Sequence, residues 1–357
     1  MYTSLLYQEL IKKHNVEFIS FKKLYPSLLY PGKSDKDFKS KELLTTQAIK
    51  LLDPTSPFSW FVTYKKIKKY SPDVVIFSWW VSFFAPSYFI LSTLIKSFSN
   101  VKILFLCHNV IEHETNIIKR WITKSVLQKG DCFIVHSIKD SIYLQKAIPD
   151  KKIRKVFHPL YDVYNYDNLS KEKARAILEE NSDIILFFGF VREYKGLKYL
   201  IKAFSKLSPS FDLKLYIIGE FWQNKDEYIQ LIKKFNLQDK IIIRDSYIAN
   251  EEVQIYFSAS DIVVLPYLSA TGSGIVKIAY GFNKPVIVTD TGALSEVVED
   301  CKTGFIVPPE NSDAITSKLE QFYSMNDKDK FSKYIAEYKK QFSFSKITKQ
   351  IEEFVEI

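Results

Sequence analysis

Two short stretches of this 357-residue sequence carry residue types and spacings suited to binding an anion. Residues 266–285 read PYLSATGSGIVKIAYGFNKP. Gly272, Ser273 and Gly274 lie between a charge-free strand pattern at 262–265 and a helical pattern at 275–282. A glycine-rich turn at a helix start leaves backbone N–H groups free, lets a ligand come close, and adds the favourable end of the helix dipole. The alternative is a tight turn ahead of a packed helix. Residues 187–196 read FFGFVREYKG: a strand, then Gly189, then Arg192 and Lys195, then a helix opening at Gly196. Two cations at the C-terminal end of a parallel strand suit a phosphorylated ligand, because open α/β sheets bind in that crevice. Solvated loop charges are the alternative. Together the two stretches favour phosphate binding.

These loops need a sheet to hold them, and the second half supplies the pattern. Strands read at 184–188, 214–218, 241–244, 262–266, 286–289 and 304–307. Helices intervene, with Leu197, Leu200, Ile201 and Phe204 on one face and Asn250 read as a cap. Such alternation implies a parallel, doubly wound sheet. The first half reads as a helix at 1–13, a strand at 16–20, an irregular polar segment at 21–50 and a basic helix around 61–70. Strands at 74–77, 101–107, 132–136 and 155–158 follow. The last three end at His108, His136 and His158, which places these histidines together at one sheet edge. HNVIEHE, residues 108–114, lacks the i, i+4 helical histidine spacing of a zinc site, so no metal is expected.

Residues 74–95 carry no charge over 22 positions, long enough to raise a membrane span. The Ala85-Pro86-Ser87 sequence instead reads as the opening of a helix after a strand and an aromatic loop. On that reading Trp79, Trp80, Phe83 and Phe84 are exposed and available to a bilayer interface. Residues 1–165 hold 25 Lys+Arg against 13 Asp+Glu, a net of +12; residues 166–357 hold 25 against 28, a net of −3. A basic half points to an anionic partner such as a membrane surface or a lipid phosphate. Nucleic acid has only net charge behind it, and no partner of that kind is expected. The three cysteines, Cys107, Cys132 and Cys301, are too few and scattered for a disulfide framework. They fit a reducing cytoplasm, and no signal peptide is read at the start.

Through FFGFVREYKGLKYLIKAF (187–204), IIGEFW (217–222), SYIANEEVQIYFSASDIVVLPY (246–267), SATGSGIVKIAYGFNKPVIVTDTGAL (269–294) and SEVVEDCKTGFIVPPEN (295–311), the chain resembles retaining glycosyltransferases of the GT-B fold, in family four, the group 1 nucleotide-sugar transferases. The first half matches more loosely, through CHNVIEHE and the VHS of 135–137. The resemblance implies two Rossmann-like domains facing across a cleft. It gives residues 1–165 as an acceptor-side domain, 166–340 as a nucleotide-sugar-binding domain, and 341–357 as a helix crossing back to the first.

By match, Arg192 and Lys195 would neutralise the diphosphate, and the turn at Gly272, Ser273 and Gly274 would cradle it and the sugar. Gly189 and Thr271 complete the implied donor-binding set, and the base would lie near Tyr247 and Ile248. His108 would reach toward the transferred sugar. The donor would be a nucleotide diphosphate sugar and the acceptor a glycan. The basic first half and the aromatic loop add the expectation of a lipid-linked acceptor in surface polysaccharide synthesis, with the enzyme in the cytoplasm at the inner face of the membrane. No cofactor is implied.

The family's two glutamates, eight positions apart, fall at Ala270 and Ile278. Its first strand and glycine loop should precede a helix like that at 1–13, whereas the first glycine here is Gly32. The first domain is therefore expected to lack its first strand, through a misassigned start or a truncation. Two other readings follow: a degenerate or truncated non-catalytic homologue that binds nucleotide sugar or a partner, and a nucleotide-sugar epimerase on the same fold.

Overall fold

A computed structural model describes residues 2–22, 47–110, 117–270 and 272–356. These divide into two compact units, one of the residues up to His158 together with those from Phe344 onward, the other Pro159–Ser343. The division falls between His158 and Pro159, ahead of the boundary expected at 165/166. Each unit has its own apolar core.

In the first unit, α1 (Tyr2–Leu10) leads to β1 (Phe18–Phe21), which pairs in parallel with β2 (Ala48–Leu52). β2 lies where the sequence reads as irregular; its burial is partial and its lysine masks the pattern. α2 (Pro57–Tyr70) starts at Pro57, with Ser56 as its cap. β3 (Val74–Trp79), α3 (Ala85–Phe98), β4 (Lys102–Cys107), α4 (Ile117–Leu127), β5 (Cys132–Val135), α5 (Ile138–Ala147) and β6 (Lys152–Lys155) follow. β3 to β6 pair in chain order as a second parallel sheet. Ile19 and Phe21 of β1 pack against the same core as β3–β6, although the two sheets share no ladder among the described residues.

The uncharged run at 74–95 is interior. Trp79 is 1% exposed and Phe84 fully buried, with Trp80 and Phe83 half-buried against them, so the expectation of an exposed aromatic loop is overturned. The reason is register: Trp79 is the last residue of β3, paired with Cys107, and points into the core under α3. β6 also ends earlier than read, three residues before His158.

The last helix, α13 (Phe344–Val355), packs on α1 within this unit. Phe344 meets the Tyr2 ring at 5.4 Å, and Glu352 receives His14 at 2.9 Å and Lys13 at 3.3 Å.

In the second unit, α6 (Lys171–Leu178), capped by Ser170, precedes β7 (Asp183–Phe188), α7 (Leu197–Phe204), β8 (Leu213–Ile218), α8 (Lys225–Lys234) and β9 (Ile241–Arg244). Then come α9 (Asn250–Ala259), β10 (Ile262–Leu265), α10 (Gly274–Gly281), β11 (Val286–Thr289), β12 (Gly304–Val307), α11 (Ser312–Tyr323) and α12 (Asp329–Tyr338). Asn250 is the first residue of α9 and its cap is Ala249, which offers no side-chain acceptor.

All six strands are parallel, in the order β12-β11-β10-β7-β8-β9. β10 and β11 are buried at every position, as strands covered on both faces must be. The order reverses between β7 and β10. Asp261 fixes that junction: it accepts from the Ile184 amide at 2.6 Å and from Arg175 at 2.7 Å, and pairs with Lys171 at 2.5 Å. In an open α/β sheet, the carboxyl end of such a junction is where a ligand finds a crevice.

Candidate functional site

The loops that leave β7 and β10 meet at this junction. β7 is followed by Gly189, whose amide donates to Ile218 O at 2.9 Å with φ +101°. A side chain at 189 would be strained there and would place its Cβ 3.1 Å from Lys195 Nζ. The chain runs through Arg192 in an extended conformation, makes one 3-10 turn at Glu193–Lys195, and enters α7 through Gly196 at φ +66°. A Cβ at 196 would lie 2.0 Å from Pro266 O, so backbone contact with the β10 loop is possible only for glycine. The Leu268 amide donates to Tyr194 O at 2.7 Å and joins the two loops. Sequence had Arg192, Lys195 and the glycine turn as separate motifs; the strand order brings them together.

Lys195 is 7% exposed, and among the described residues no carboxylate pairs with it. Its ammonium lies 5.4 Å from the Tyr267 ring centre. Burial lowers its pKa, Tyr194 opposes that shift, and the nearby Arg192 charge adds to it. Arg192 is half-buried over two rings, 5.3 Å from the centre of Trp222 and 5.5 Å from that of Tyr194. A buried cation with no counter-ion, beside a second cation, is unfavourable in isolation and becomes favourable when an anion enters.

Across from these cations, Ser273 caps α10 by accepting from the Ile275 amide at 3.2 Å. A Cβ at Gly272 would meet nothing within 4 Å, and at Gly274 only Tyr161, at 3.5 Å. The fold itself does not demand glycine at 272; the space over it is open. Thr271 lies outside the described residues. Ala270 and Ile278 are both buried in the core, so neither position offers a polar group to a ligand.

Tyr247 is exposed and Ile248 buried, just past β9. Two residues that the sequence reading did not assign a role accompany them. Phe190 packs against Trp222 with ring centres 4.5 Å apart and planes tilted by 35°, and lies 6.4 Å from Tyr247. The three rings follow the ends of β7, β8 and β9, forming an apolar shelf beside Arg192. Their signal in the sequence was an aromatic within a few residues of each strand end, easily lost among 28 Phe and 22 Tyr.

In the first unit, His108 follows β4, its amide donating to Trp79 O at 2.8 Å. The expected histidine cluster is present: the ring centres of His108, His136 and His158 are 4.9 to 6.2 Å apart and all contact Tyr2. Among the described residues, no three His, Cys, Asp or Glu are placed to hold a metal ion; residues 111–114 of the HNVIEHE segment lie outside them. The turn after His108 is held by Asp140, which accepts from the Val110 amide at 3.2 Å and from Ser137 Oγ at 2.8 Å. Sequence reading missed Asp140; its signal was the Ser137-x-x-Asp140 capping pattern.

Burial, and secondarily the His136 charge, push the His108 pKa down from 6.5 to about 3. The ring is therefore neutral at pH 7, and folding opposes its protonation. A depressed folded pKa means this contribution is complete above pH 6.5 and is lost as pH falls toward 3. The slope is about 1.4 kcal/mol per pH unit. Urea unfolding of the wild type is expected to lose about 2 kcal/mol between pH 6.5 and 5 from this group, and His108→Gln to flatten that part of the dependence. Equal pH dependence in both proteins would remove His108 as the source.

A family model described as glycosyl transferases group 1 matches residues 170–342. A D-inositol 3-phosphate glycosyltransferase of Paenarthrobacter aurescens (strain TC1) is 29% identical over 159 residues, 43% of this chain and 39% of that protein. An alpha-D-kanosaminyltransferase of Streptomyces kanamyceticus is 21% identical over 222 residues, 59% of this chain and 57% of that one. The matched region thus spans about two fifths to three fifths of these relatives' length. Among solved structures, Anabaena HepE in complex with UDP aligns with a TM-score of 0.70 at 15% identity, covering 87% of this chain and 85% of its own. Sucrose-phosphate synthase from Thermosynechococcus elongatus aligns at 0.68 and 18%, covering 86% and 82%. These likenesses carry the fold, and the family model falls on the unit that holds Arg192, Lys195 and the glycine turn. Residues 170–342 thus match the group 1 glycosyltransferase family model, and the chain has an α/β fold of the GT-B type.

Proposed function

We propose that this protein transfers a sugar, with retention, from a nucleotide diphosphate donor to a glycan or lipid-linked acceptor in surface polysaccharide synthesis. The observation that carries the reading is Lys195, a buried cation without a carboxylate partner among the described residues, beside Arg192 at the β7/β10 junction. The diphosphate takes the space between these cations and the N-terminus of α10. Its developing charge on departure is met by Arg192, Lys195 and the backbone N–H groups around Gly272–Gly274, all positioned before reaction. The base stacks on the shelf of Phe190, Trp222 and Tyr247, with Ile248 beneath. That HepE is bound to UDP supports a uridine donor as the first to try. Retention follows if the acceptor attacks on the face the phosphate leaves, the phosphate oxygen taking its proton. No protein carboxylate pair is needed for that route. His108, neutral at pH 7, serves as a hydrogen-bonding group toward the sugar, a role that rests on the resemblance.

Ala270 and Ile278, where the family has glutamates, favour one competing reading, a homologue that binds donor without turnover. The test is a panel of UDP-, GDP- and ADP-sugars, with binding and nucleotide release measured for wild type and for Arg192→Ala plus Lys195→Ala. Slow release of one nucleotide, faster with acceptor and abolished in the double variant, is expected. Binding without release would establish the non-catalytic reading, and a donor converted to its epimer without transfer would establish epimerisation. A folded protein that binds no donor would refute the proposal.

A further inference from the structure

We infer that the helices α2, α3 and α4 of the first unit form a docking face for an anionic membrane surface. In a parallel sheet whose strands β3, β4 and β5 are neighbours in chain order, right-handed crossovers put α3 and α4 on one side. α3 packs against both α2 and α4, so the three helices make one continuous layer. Their 39 residues (14, 14 and 11) contain eight Lys and Arg and no Asp or Glu. Among the described residues, Lys66 pairs with Glu17 at 2.7 Å and Lys96 pairs with Asp131.

The same helices expose large apolar side chains. On α4, Ile117 is 84% and Trp121 70% exposed, with Ile118 between them also outward; on α2, Phe58 is 77% exposed and Phe61 lies one turn on. Phe98 closes the C-terminal end of α3. Lys65 Nζ lies 4.7 Å from the Phe61 ring centre and Lys68 Nζ 6.0 Å from that of Phe98, so cations border the apolar groups.

This combination selects the occupant. Trp, Phe and Ile gain by leaving water for the acyl boundary, while Lys and Arg at the same level meet lipid phosphate. Nucleic acid would use the charge but leave the aliphatic groups in water. A second copy of the chain, docked symmetrically, would set eight positive charges against eight. No described helix is long and apolar enough to cross a membrane, and surface docking needs none. The buried Trp79 and Phe84 play no part in this face.

The experiment is flotation of the full chain with vesicles of phosphatidylcholine alone and of phosphatidylcholine with phosphatidylglycerol. Binding is expected only to the phosphatidylglycerol vesicles, and it should weaken toward 1 M salt, where the screening length falls to about 3 Å. Arg120→Ser plus Lys124→Ser should weaken binding by about fivefold for each charge. Phe58→Ser plus Trp121→Ser should weaken it at least about tenfold. Circular dichroism and thermal midpoints establish that these variants fold. Trp121→Phe should still bind but lose the blue shift of tryptophan emission that vesicles induce. Absence of flotation at low salt, or flotation undiminished in folded variants, overturns the proposal. So does capture of an acidic protein by this face without any vesicle binding. None of these readouts depends on sugar transfer.

Discussion

Lys195→Met is expected to make the free protein more stable and to remove its donor chemistry. The substitution keeps an unbranched side chain of similar volume and deletes a charge that burial already disfavours. Replacing an unpaired buried charge by an apolar group of similar volume should raise the unfolding free energy by roughly 1–3 kcal/mol. Losing one preorganised stabiliser of a leaving group costs about 10²–10³ in turnover. Adding Arg192→Ala should deepen the loss, because Arg192 supplies the second charge beside the first. Urea unfolding with and without nucleotide separates the effects. Wild type should gain about 2.7 kcal/mol at a nucleotide concentration one hundred times its Kd, and the variant little or nothing at that concentration. If Lys195→Met were destabilising and left nucleotide stabilisation intact, Lys195 would be a packing residue and the donor site would lie elsewhere.

The second large effect is Gly196→Ala. The residue sits at φ +66°, where a side chain costs about 1–2 kcal/mol, and its Cβ would be 2.0 Å from the carbonyl oxygen of Pro266. That oxygen belongs to backbone and cannot rotate away, so the two loops must separate. Overpacking of this kind adds roughly 1–3 kcal/mol. The bond from the Leu268 amide to Tyr194 O spans the same gap and is expected to lengthen or break. Chemical denaturation should therefore show a loss of about 2–5 kcal/mol, accompanied by weaker nucleotide binding. Gly272→Ala is the control. Its Cβ meets nothing within 4 Å, so stability should hold within about 0.5 kcal/mol, while a donor that approaches the turn closely should bind less well. Equal stability of Gly196→Ala and wild type would mean the loops are not held as described.

The two cases divide what could be read from the chain from what could not. The second unit was legible because its strands are continuous apolar runs, IVVL at β10 and VIVT at β11, separated by helices with one apolar face. Parallel strands also share one carboxyl edge, which is why three strand-following histidines predicted a cluster that formed. The candidate residues were legible by type: glycines and cations stand out, and their loops follow strands. The missed strand β2 and the misread aromatic segment have a common cause. A short, half-buried strand and an uncharged aromatic run have no distinctive period, and an aromatic side chain reads the same whether it faces a core or water.

Residue types and their order thus determined the fold class, the two candidate loops and the family resemblance. Tertiary structure alone decided that β10 lies beside β7, that Lys195 is buried without a carboxylate partner among the described residues, and that Trp79 is inside while Trp121 is outside. The physical reason is that local sequence fixes backbone preference and loop chemistry over a few residues. Strand adjacency and burial instead depend on contacts between residues far apart in the chain, and on those contacts rest both the electrostatics of a site and the identity of a surface.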